Sequence, residues 1–227
     1  MDEHRKLWNH QQKRLQLQLL DEDPPTDTFE LFFEQHAAMH SSQMSGEDGW
    51  SLEDQILNDL NDITFRSTTS HQERSIAWLI WHIARIEDVA MGMLVGGGFQ
   101  LFDEGDWAKG LGVNYLHTGN AMSADEIIDF SNIINFEALR AYRVEVGRRT
   151  RSIIGRLSFE ELSKKVDPKR LQTVLDVGAV VEAALGVIEY WSKRTIAELL
   201  LMPATRHNLI HLNEAERIKS RQSRQSQ

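Results

Sequence analysis

The 227-residue sequence contains no cysteine. That absence rules out a disulfide framework, a thiolate zinc site and a thiol nucleophile supplied by the chain, so a bound metal would need histidine, aspartate or glutamate. There are only four prolines, which leaves long stretches without the residue that most strongly interrupts a helix. No run of about 18 apolar residues occurs, and the first thirty residues are charged and Gln-rich without the apolar centre of a signal peptide. A soluble cytoplasmic protein without a membrane partner is the expectation. Lys and Arg (25) are outnumbered by Asp and Glu (34), for a formal net charge of −9, which argues against nucleic acid held on a basic surface. Convincing strand alternation and internal repeats are also missing.

Helical periodicity takes their place. With 41% hydrophobic residues, six tryptophans and nine phenylalanines, the chain can bury one substantial core. An untidy amphipathic helix over residues 4–20 is followed by an acidic break containing Pro24-Pro25. A helix from Thr28 carries Phe29, Phe32 and Phe33, and its apolar face continues into His36 and His40. Ser51 with Asp54, Ser123 with Glu126 and Ser158 with Glu161 mark helix starts. The strongest pattern runs from Gln72 to about Leu94, with His82 among tryptophans and isoleucines, and Gly96-Gly97-Gly98 stops it. Phe99 to Asn120 reads as a long connection, and Ser123 to Ile154 as one helix of about 45 Å. Pro203 either starts the last helix or kinks it.

Two imidazoles four residues apart, His207 and His211, lie on one face of a helix and can converge on one metal ion. His82 is the best third ligand, because a histidine deep in an apolar helix must find partners for its ring nitrogens. Three imidazoles leave a position for water or substrate, as catalytic metal sites do. His36 and His40 repeat the spacing; they can replace the C-terminal pair, add to it, or line the pocket and orient the ligands, and the last is preferred. Arg85 and Glu214 are further candidates for orienting ligands or substrate. His4, His10 and His71 read as surface residues, and His117 as exposed. A peptidase would need Glu directly after the first histidine of a pair, where this chain has Asn208 and Ala37. A ferritin-like di-iron site would need Glu three residues before a histidine, a spacing that occurs nowhere.

The segments Ser75-Ile76-Ala77-Trp78-Leu79-Ile80-Trp81-His82-Ile83-Ala84-Arg85-Ile86-Glu87-Asp88 and Arg206-His207-Asn208-Leu209-Ile210-His211-Leu212-Asn213-Glu214-Ala215 resemble the DinB-like superfamily in content, order and separation. The resemblance covers roughly residues 28–221. It divides the chain into an N-terminal helical arm and linker (1–27), a helical bundle domain (28–221) and a disordered tail (222–227). It implies an all-α, four-helix bundle of up-down-down-up topology, with extra short helices, in which His82, His207 and His211 bind a divalent ion. Zinc or nickel suits that donor set. Members with a known activity include transferases and isomerases that use low-molecular-weight thiols such as bacillithiol or mycothiol. The resemblance therefore implies a thiol S-transferase acting on small electrophiles, with the thiol as cosubstrate and a homodimer as the assembly. The alternatives are a hydrolase using metal-bound water and a non-enzymatic, stress-associated metal-binding bundle.

Overall fold

All twenty residues from Ile76 to Val95 are buried in the computed structural model, which describes residues 2–46, 48–68 and 74–225. A helix that is apolar on every side has to run through a core rather than along its surface. We number the principal helices α1 (Glu3–Leu19), α2 (Thr28–Ala37), α3 (Ile76–Glu87), α4 (Phe136–Ile154) and α5 (His207–Gln225). The Ser75 hydroxyl caps α3 by accepting from the Trp78 amide. From Asp88 to Val95 the helix widens into π-type turns, and it ends at the glycine triplet, where Gly97 adopts φ +68°.

Helix α3 is the axis of the bundle, with α4 and α5 packed against it. Its first half, Ile76 to Ala84, belongs to an apolar cluster with Phe65, Phe130, Tyr142, Leu209 and Leu212. Its second half, from Ile86 onward, belongs to a cluster with Phe32, Ile154, Trp191 and Leu199. The buried polar residues His82, Arg85, Glu87 and Asp88 fall around the junction of the two clusters. Each then requires partners from a neighbouring element. The described residues contain no β-strand, only an isolated bridge between Lys165 and Thr195, and no helix among them is long and apolar enough to cross a membrane.

Two readings of the helices need correction. The single helix expected from Ser123 to Ile154 is two, Ala124–Ile133 and α4, because Ile134 is extended and the Asn135 side chain caps the second helix at the Ala138 amide. At the C-terminal end, α5 continues to Gln225, so residues 222–225, expected in a disordered tail, are helical. The three serine start signals hold: Ser51 caps Leu52–Leu57, and Ser123 and Ser158 each form a capping box.

Two features set the start of α5. Pro203 lies in a π-type turn, Met202–Arg206, joining the helix Ile196–Leu201 to α5. Proline has no N–H to donate, and the Thr205 hydroxyl takes up the Leu201 carbonyl at 2.9 Å. Helix α1 reinforces this turn, with Gln12 Nε2 donating to Thr205 Oγ1 at 2.8 Å. The same helix packs on α2 through Trp8, whose indole N–H donates to the Gln35 carbonyl, and pairs Arg5 with Glu216 of α5.

Candidate metal centre

The long loop after α3 and the helices α3 and α5 bring His82, His207 and His211 together. One ring nitrogen from each lies within 4.8 Å of the other two. The rings stand steeply to one another: His82 and His211 have centroids 5.2 Å apart and planes at 88°, and His207 and His211 are 4.6 Å apart at 78°. On the other side of His82, Trp78 stacks almost parallel at 4.6 Å.

Tautomers follow from the partners. The Thr118 carbonyl lies 2.7 Å from His82 Nδ1 and can only accept, so Nδ1 carries the hydrogen and Nε2 keeps its lone pair. The Glu214 carboxylate lies 3.2 Å from His211 Nδ1, which fixes that ring in the same way. Arg74 steadies Glu214 from outside at 3.3 Å. Burial pushes the Glu214 carboxyl up, but the His211 bond and Arg74 outweigh it and hold it below its usual value. His207 Nδ1 is buried without a hydrogen-bond partner. Burial, then the neighbouring His211, pushes the His82 imidazole down to about 3, and burial followed by His82 and His211 holds His207 well below its usual value. Neutral rings with unshared lone pairs are what a divalent ion requires, so this donor set fits one.

A second cluster forms one turn further along α3. Glu87 Oε1 accepts from His36 Nε2 (2.8 Å) and Thr150 Oγ1 (2.8 Å), and Oε2 accepts from His40 Nε2 (3.0 Å) and Asn208 Nδ2 (2.8 Å). His36, His40 and Glu87 are close enough to hold an ion themselves, but the Nε2 atoms of both histidines are engaged with the Glu87 oxygens, and their Nδ1 atoms are buried without a partner. Burial alone would push the Glu87 carboxyl up, yet the donors around it, His40 and His36 foremost, hold it well below the usual carboxylate range. Burial keeps His40 down at about 3 against the opposing pull of Glu87. We therefore read this cluster as a buried carboxylate satisfied by four donors.

The other sequence candidates divide. His36 and His40 border neither cleft described below; they connect to the triad through Glu87 and Asn208, the residue after His207. Arg85 does not touch the triad. Its guanidinium lies buried over the Phe102 ring and bonds to Gln100, Tyr142 and the Leu116 carbonyl, so it braces the loop that carries Thr118. His117, expected exposed, is half-buried and accepts from the Gly119 amide. His4 and His10 are exposed, and His71 lies outside the described residues. Thr118, Glu87, Asn208 and Arg74 are not singled out by the sequence. Only Asn208, next to His207, and Glu87, inside the His82 motif, carry a positional hint; the contribution of Thr118 is a backbone carbonyl that any residue would supply.

Two clefts border the centre. One of about 380 Å³ is walled by Arg74, Trp78, Asn120, Met122 and Glu214. The other, of about 280 Å³, includes His207 in its wall, with Ile86, Val187, Trp191, Met202 and Pro203. Asn120 borders both.

Comparison with curated proteins returns no match. The family model of the DinB superfamily matches residues 47–215, a span that contains the three histidines, Glu87 and Asn208 and leaves out His36 and His40. The helical architecture, the order of the two histidine motifs and a match over most of the chain agree: this chain belongs to the DinB superfamily.

Proposed function

We propose that this protein is a divalent-metal-dependent enzyme that joins a low-molecular-weight thiol to a small electrophile, with His82, His207 and His211 as the ligands. The observation that carries this reading is the convergence of three imidazoles, two of them with their tautomer set by a partner on Nδ1. Three protein ligands are the pattern of a catalytic site rather than a structural one. A zinc or nickel ion held there supplies a Lewis acid that makes a thiol or a water molecule nucleophilic at neutral pH.

The chain's own residues orient and shield. Thr118 and Glu214 aim two imidazoles, and Trp78 covers the face of His82. Arg74, on the rim of the polar cleft, offers a charge to an anionic part of the thiol. Because the chain has no cysteine, the sulfur comes from the cosubstrate. The reaction balances as a substitution: the S–H proton is released, an S–C bond forms, and the leaving group departs with the electron pair of the bond that breaks.

The test is consumption of a chromogenic aryl halide by zinc- or nickel-loaded protein in the presence of several small thiols. Turnover that requires both metal and thiol and is lost in His211→Ala supports the transferase. Ester cleavage by the loaded protein with no thiol present would replace it with a hydrolase. Metal binding without either reaction would favour a non-catalytic bundle.

A further inference from the structure

The two clefts beside the triad differ in chemistry, and the difference points to what each receives. The cleft that includes His207 has no charged side chain in its wall. Ile86 lines it from α3, Pro203 from the π-type turn before α5, and Val187 and Trp191 from the helix Leu185–Ser192. Its polar residues are Asn120, Tyr190 and His207. At about 280 Å³ it stands near the lower end of small-molecule sites, which are mostly apolar with a few placed polar groups. The cleft on the other side of Asn120 carries Arg74 and Glu214.

We propose that the apolar cleft binds the body of the electrophilic substrate, and that this body is a compact, uncharged aromatic or branched aliphatic group. The inference rests on the metal-dependent reading above for its orientation, since His207 is common to the triad and the cleft wall. A charged body would lose its hydration against Ile86, Val187 and Trp191 with no counter-charge in the wall, whereas an apolar one gains from burial. The polar cleft, with Arg74 and Glu214, is left for the thiol, so the two reactants approach from opposite sides of Asn120.

The experiment has two arms. In metal-free protein, benzyl alcohol, benzoate and benzylamine are titrated while the NMR signals of Val187, the Trp191 indole and Met202 are followed. Benzyl alcohol should shift these signals, the two charged analogues should bind about tenfold or more weakly, and Val187→Phe, which fills the cleft, should weaken benzyl alcohol by about tenfold or more. In zinc-loaded protein, phenylacetohydroxamate should bind about tenfold or more tightly than acetohydroxamate, and Val187→Phe should remove that advantage while leaving acetohydroxamate and zinc binding unchanged. Equal binding of the two hydroxamates, or benzyl alcohol shifts that are indifferent to Val187→Phe, overturns the inference while leaving the metal reading intact. If neither hydroxamate binds but benzyl alcohol still occupies the cleft, the metal reading fails and the apolar site stands.

Discussion

The side-chain amide of Asn208 donates to the Glu87 carboxylate at 2.8 Å. The residue after the metal-ligand candidate His207 is thereby tied to the helix that presents His82. Three further donors meet the same carboxylate inside a fully buried pocket. Glu87→Ala should strand all four, and breaking a buried charged network by removing one partner costs about 3–5 kcal/mol. Glu87→Gln should cost less, about 2 kcal/mol, because one oxygen still accepts while the new amide faces a donor. Urea unfolding midpoints measure both, and a loss below about 1 kcal/mol for Glu87→Ala would show that the network is not holding the helices together.

Much of this architecture is legible in the order of the residues. The apolar run from Ile76 to Leu94 marks a central helix because every face of it is hydrophobic, and the serine caps locate three helix starts. The pair His207 and His211 and the isolated His82 stand out because histidine is costly to bury without a partner. The features that escape the sequence are tertiary. The N-cap of Asn135 competes with helix continuation, and residue spacing does not say which side wins. Nor can spacing show that His36 and His40 meet Glu87 rather than His207, since the two histidine pairs share one periodicity and differ only in what packs opposite them. Arg85 sits three residues after His82 and yet points to the Thr118 loop, a choice made by the Phe102 ring and the Leu116 carbonyl.

Acid should weaken the metal-free fold. An unfolded histidine binds its proton near pH 6.5, whereas His40 in the fold resists until about pH 3. Between those limits the unfolded chain holds more protons, so stability falls as pH falls, by up to about 1.4 kcal/mol per pH unit for this ring. The Glu87 contribution is present above the ordinary carboxylate value of 4.5 and is lost as pH falls toward its lower folded value. Urea midpoints at pH 7.5, 6 and 5 should decline in that order, and His40→Gln should flatten the decline. A midpoint that rises on acidification contradicts this charge assignment.

Glu214 should matter to metal affinity more than to folding. Its carboxylate fixes His211 through Nδ1 and is itself only partly buried. Replacing such an orienting group typically weakens a metal by about 10- to 100-fold. Glu214→Gln should show that loss in a competitive chelator titration while the thermal midpoint of the metal-free protein moves little. Unchanged affinity would mean that His211 needs no orientation from Glu214.

Gly119 should not tolerate a side chain. Its φ is +82°, and a Cβ there would lie 2.5 Å from Trp81 Cζ3 and 3.1 Å from Trp78 Nε1. Gly119→Ala should cost about 1–3 kcal/mol through backbone strain and overpacking. It should also weaken metal binding, because the adjacent Thr118 carbonyl sets the His82 tautomer. Full stability with full metal affinity would show that this loop can shift without disturbing His82.

The most direct test is metal stoichiometry by elemental analysis of zinc-loaded full-length protein and its variants, each checked for folding by circular dichroism. The triad predicts one ion per chain, lost in His211→Ala and retained in folded His36→Gln. An ion that survives His211→Ala and disappears in folded His36→Gln would place the metal at Glu87 and contradict the assignment to His82, His207 and His211.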